Sequence, residues 1–161
     1  MAAYTDSTGF DKGSAARSNK GLHKVYLQEV TMDFANIATE RAAAGLTALT
    51  ASDTIQIMDI PANTAVLGVW GNVLTVEGKT YTHDVGTVGG DPDGFIDALN
   101  ANALGVGAAS LIGALLDAEN HHLFTSADTI DLTIGASGSG TCVTGKILFS
   151  ALCVDVSGGD S

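Results

Sequence analysis

Residues 50–57 read Thr-Ala-Ser-Asp-Thr-Ile-Gln-Ile, and residues 125–132 read Thr-Ser-Ala-Asp-Thr-Ile-Asp-Leu. Thr50, Asp53, Thr54 and Ile55 recur as Thr125, Asp128, Thr129 and Ile130, and Ile57 becomes Leu132. Each copy opens with a polar turn and then alternates. Ile55 and Ile57 share one face in the first copy, and Ile130, Leu132 and Ile134 share one in the second. That period of two is the mark of a half-buried β-strand. Each copy then leads through a connection into a long apolar strand. In the first copy the turn Pro61-Ala-Asn63 precedes a strand over 65–76, and in the second Gly135-Ala-Ser-Gly-Ser-Gly140 precedes one over 142–156. Two similar strand pairs in one chain suit a sandwich whose halves are built alike. Chance likeness between two strand starts is the alternative. Two copies are too few for a solenoid.

The composition agrees. The chain has 161 residues, 45% of them hydrophobic, with 20 glycines and 6% aromatics. This length suits one domain. Glycine and threonine in such supply favour strands and turns over a helical bundle.

Working outward from the repeat, Leu22 to Phe34 alternates and predicts a first strand. Ala-rich residues 38–52 predict a helical turn near Thr39–Ala44 stopped by Gly45, with a loop as the alternative. Tyr81 to Val85 predicts another strand. Asp91-Pro92-Asp93-Gly94 has the form of a helix start, and Phe95, Ile96, Leu99 and Ala103 fall on one helical face. A short helix over 93–102 is therefore expected. Leu111, Ile112 and Leu115 are expected to form a second short turn. The domain plan is an N-terminal arm over 1–21, a β-sandwich over 22–156 and a tail over 157–161.

The strand around Lys146-Ile-Leu-Phe149-Ser-Ala-Leu152 is apolar on both faces. Either both faces are covered within the domain or one meets another subunit. Trp70, Phe149 and Leu152 are the interface candidates there.

The net charge is −11. Nucleic-acid binding needs neutralised phosphates, so this balance argues against it as a partner. Of the 18 acids only Asp6 and Asp11 precede residue 25, against four of the seven bases: Lys12, Arg17, Lys20 and Lys24. A mildly basic arm thus precedes an acidic body. Those four residues are candidates for contact with an acidic neighbour, and a solvated tail is the alternative. No secretory segment is expected, because Met1 to Ser14 lacks an apolar core. No membrane partner is expected, because the uncharged stretch Ala98–Leu116 is interrupted by Asn100, Asn102, Gly105 and Gly107. Cys142 and Cys153 would lie roughly 36 Å apart on one extended strand, so two buried thiols are expected and no disulfide. A hairpin near Thr144–Gly145 is the arrangement that would bring them together.

Few constellations carry chemistry. Asp91, Asp93 and Asp97 occupy the first, third and seventh positions of a possible calcium loop, with Asp84 upstream. The twelfth position is Asn102, so the usual chelating acid is missing. Acids in the first turn of a capped helix explain the same residues. His121 and His122 diverge if they lie on a strand, and zinc needs convergent ligands. His23 and His83 are isolated and are expected on strand surfaces. No Gly-x-Ser-x-Gly elbow is present, and the glycine-rich run 135–140 lacks the lysine of a phosphate loop. No cofactor and no enzymatic activity are expected.

Five segments then stand in order: Asp53–Ile57, Ile60–Val69, Asp84–Gly86, Gly90–Asp97 and Ala127–Leu132. Together they resemble small virion structural proteins of tailed bacteriophages, over roughly residues 50–156. The resemblance implies a β-sandwich of jelly-roll type. It implies a head decoration (cement) protein, commonly a homotrimer, with the major capsid protein as partner and the capsid surface as location after assembly in host cytoplasm. A head-fibre or tail component binding a receptor or glycan is the alternative within the same group. The resemblance carries no catalytic residues.

Overall fold

A computed structural model describes residues 24–78, 81–110, 122–135 and 140–157, with the backbone alone for 106–110. Lys12, Arg17, Lys20, His23, Leu111, Ile112, Leu115 and His121 lie outside the described residues, as do the whole arm expected over 1–21 and all but Ser157 of the tail expected over 157–161.

The elements are β1 (Lys24–Asp33), α1 (Phe34–Ala43), β2 (Thr54–Ile60), β3 (Thr64–Thr75), β4 (Thr82–Gly86), β5 (Ile96–Asn100), β6 (Gly105–Ser110), β7 (His122–Phe124), β8 (Asp128–Ile134) and β9 (Lys146–Asp155). They form two antiparallel sheets. One runs β1-β9-β3-β6, with β7 pairing the early part of β3; the other runs β2-β8-β4-β5. The pairing is nested: β1 with β9, β2 with β8, β3 with β6 and β7, β4 with β5. A ribbon folded so that its first strand meets its last is a jelly roll.

The repeat is visible as architecture. Its two copies, β2 and β8, lie side by side in one sheet, with Ile55 opposite Leu132. The strands that follow them, β3 and β9, lie side by side in the other, with Val66 opposite Cys153. Each copy therefore leads from one sheet into the other. In the first copy the opening turn is held by Asp53, whose carboxylate accepts from the Thr50 amide at 2.7 Å and its hydroxyl at 3.2 Å.

The core fills the space between the sheets. Ile147, Phe149, Ala151 and Cys153 of β9 face Ile130, Leu132 and Ile134 of β8 in one continuous cluster. Full burial of each such aliphatic side chain is worth about 1.5–3 kcal/mol.

The helix begins earlier than its Ala-rich composition suggested. Asp33 caps it, accepting from the Asn36 amide at 3.2 Å and pairing with Lys146 at 2.7 Å. The Lys146 hydrogen bond, with that of Asn36, holds the Asp33 carboxyl below its ordinary pKa. Gly45 follows with φ +73° and turns the chain, as expected.

The helix expected over 93–102 is absent: residues 96–100 form β5, paired with β4. The cause of the misleading pattern is local. Ala98 takes φ +56°, and the β4–β5 register shifts between His83 and Val85. The alternation breaks there, so Ile96 and Leu99 both point inward at a helix-like spacing. The Asp84 carboxylate accepts from the Ala98 amide at 2.9 Å and fixes this kink.

Candidate functional site

The two outer faces of the sandwich differ in chemistry. On the β2-β8-β4-β5 sheet the outward positions include Thr54, Gln56, Asp59, Asp84, Asp97, Thr129, Asp131 and Thr133. Threonines and acids dominate, and they bond to one another. Asp131 accepts from the Thr129 hydroxyl at 2.9 Å and from the Val88 amide at 2.8 Å. Thr54, Gln56, Asp59 and Asp97 are exposed to solvent, whereas Thr129 and Asp131 are buried.

The outer face of the β1-β9-β3 sheet is apolar. The register sets it out in rows. Val25 lies opposite Val154, which lies opposite Ala65, which lies opposite Leu123. Leu27 lies opposite Leu152, and Leu152 opposite Gly68. Glu29 lies opposite Ser150, and Ser150 opposite Trp70; the Ser150 hydroxyl donates to Glu29 at 2.8 Å. Thr31, Leu148 and Asn72 form the next row. Val25 is 64% exposed, Leu27 55% and Leu123 42%. Leu148, Leu152, Val154 and Trp70 are half-buried by their neighbours on the same face. A single exposed leucine is ordinary, but a contiguous apolar sheet face marks a surface made for contact.

The predicted interface residues separate on this frame. Leu152 and Trp70 belong to the apolar face, and Lys24 is exposed at its edge. Phe149 does not belong to it. Its side chain is fully buried among core residues, so its reading as an interface residue is corrected. The strand alternates after all: odd positions 147–153 point inward and even positions 148–154 outward.

The acidic candidates are placed as follows. Asp91 and Asp93 share a side-chain hydrogen bond, which with their mutual charge raises the pKa of Asp91. Asp97 sits on β5, facing outward. Among the described residues no three histidine, cysteine or carboxylate side chains come together to hold a metal ion. His122 packs edge-on against Phe124 at 4.7 Å and Phe95 at 5.9 Å between ring centroids.

His83 is the clearest departure from expectation. It is fully buried, not on a strand surface. It stacks on Phe34 at 5.4 Å and lies 6.3 Å from Tyr81, and neither ring nitrogen has a hydrogen-bond partner among the described residues. Burial lowers its pKa to about 4, although Glu77 pulls the other way. Glu77 is itself buried and went unnoticed in the sequence. Its carboxylate accepts from the amides of Val143, Thr144 and Gly145, and its carbonyl from the Thr144 hydroxyl. This clamps the segment before β9 to the end of β3. A Cβ at Gly145 would meet Glu77 Oε2 at 2.9 Å, so a side chain there would push on the carboxylate of this clamp. Cys142 and Cys153 are free and buried. Burial, with the charge of Glu77, pushes the Cys142 thiol up.

No family model matches the chain, and no curated protein does. Solved structures do. A chain from the capsid of Ralstonia phage GP4 superposes with a TM-score of 0.55 at 18% identity, over 86% of each chain. One from the cyanophage Pam1 capsid asymmetric unit gives 0.52 at 17%, over 84% of this chain and 86% of that one. One from the acid-stable capsid of Helicobacter pylori bacteriophage KHP30 gives 0.44 at 13%, over 84% and 91%. At these identities the first two establish a shared fold.

Proposed function

We propose that this chain is a structural protein of a phage virion, a decoration (cement) protein that bridges neighbouring capsid subunits as a homotrimer. The observation that carries the reading is the apolar outer face of the β1-β9-β3 sheet, on an acidic jelly roll of the kind found in phage capsid chains. A cement protein adds contact area without chemistry, and doubly apolar strands suit that task. The acidic sheet keeps the protein soluble before assembly. The basic arm, with Lys12, Arg17 and Lys20, is suited to an acidic neighbour on the capsid. The chain acts on this reading without enzymatic activity and without a cofactor.

Co-sedimentation with expanded capsids of the phage that encodes the chain tests the proposal. The full chain is expected to saturate the capsids stoichiometrically. Removal of residues 1–20 is expected to weaken attachment at least tenfold while leaving the melting transition in place. Failure of the full chain to bind would overturn the proposal. Equal binding by the truncated chain would overturn the role of the arm alone.

A further inference from the structure

We propose that the apolar face of β1, β9 and β3 is occupied by a second copy of this chain, with Val25, Leu27, Leu152 and Val154 at the contact centre. The inference rests on the structural-protein reading and names which surface serves self-association.

Charge selects the occupant. Two copies meeting each carry −11. Like charges 4 Å apart repel by about 1 kcal/mol even in water, and by about 4 kcal/mol near a protein surface. Contact through the β2-β8-β4-β5 sheet would set Asp59, Asp84 and Asp97 against their counterparts. The apolar face avoids this. Glu29 is the acid within its rows, and its carboxylate already accepts from Ser150. Asp33, at the far end of β1, is neutralised by Lys146 at 2.7 Å. A partner recognised by charge complementarity would be drawn to the acidic sheet or to the basic arm. A second copy of an acidic chain fits where the charge is least.

Size agrees. Strands about 4.8 Å apart and rows about 6.8 Å apart give a patch on the order of 300 Å². A stable interface buries about 800 Å² on each partner. The patch therefore forms the apolar centre, and Lys24, Glu29, Thr31 and Asn72 form the polar rim expected around it.

Light scattering coupled to size exclusion on the full-length chain tests this. The wild type is expected at three times the chain mass of 16.3 kDa. Leu27→Glu and, separately, Val25→Glu are expected to lower the mass threefold while keeping a cooperative thermal transition. Both side chains are more than half exposed, so neither variant threatens the fold. Gln56→Glu, on the opposite sheet, is expected to leave the mass unchanged. Persistence of the oligomer in both face variants overturns the inference. So does a wild type that stays monomeric at about 100 µM, roughly a hundredfold above a micromolar Kd. A monomer that still decorates capsids would overturn this inference and the homotrimer of the proposed function, and would leave the decoration role standing.

Discussion

His83 shows how one residue can be legible and still be misread. The run Tyr81-Thr-His83-Asp-Val85 alternates, and that alternation already puts His83 on the side of Tyr81 and Val85. The ring's polarity suggested the surface, but the pattern places it in the core, stacked on Phe34. A neutral buried imidazole has a consequence for acid stability. The unfolded chain binds a proton near pH 6.5 and the folded chain near 4, so the unfolded state holds more protons between those values. Stability therefore falls as pH drops through this window. At pH 4.5 the loss from this group is on the order of 2–3 kcal/mol. Urea midpoints at pH 7 and 4.5 measure it, and His83→Phe is expected to remove most of the difference. An unchanged pH dependence in that variant would assign the acid sensitivity to other groups. Glu77 gave no such clue, because nothing near Val76-Glu-Gly78 announces the three amides of residues 143–145 that it meets.

Among the elements, β9 and β5 mark the two ways in which local pattern was insufficient. In β9 both faces are apolar, so sequence alone left open which one is inside. The decision is made by packing against β8 and by pairing with β1 and β3, contacts remote in sequence. The strand therefore predicts two very different variants. Phe149→Ala empties a core site and is expected to cost about 3–5 kcal/mol. Leu152→Ala trims the outer face and is expected to cost the isolated chain less than about 1 kcal/mol. Chemical denaturation of the dilute protein checks both, and similar costs would mean that the faces are assigned wrongly. In β5 one left-handed residue, Ala98, turned a strand pattern into a helical one. Neither its conformation nor the β4–β5 shift has a signature in residue type. The β2 and β8 strands were legible because their turn chemistry and their period of two agree, and agreement between levels is what specifies structure.

Across the whole molecule the decisive property is the contrast between the two sheets. One outer face is lined with threonines and acids, and the other with valines, leucines and Trp70. The all-β sandwich was readable from the repeat, but the contrast was not, because it depends on register across strands far apart in the chain. Trp70 and Leu152 were contact candidates because their strands read as apolar on both faces, and only the register shows that Leu27 and Val25 share their face. A density map of capsids decorated with this protein tests the account most directly. The account predicts three copies at each site where capsid subunits meet, with Leu27 and Leu152 buried between copies and the acidic sheet facing solvent. Isolated single copies with the β1-β9-β3 face open to solvent would contradict it.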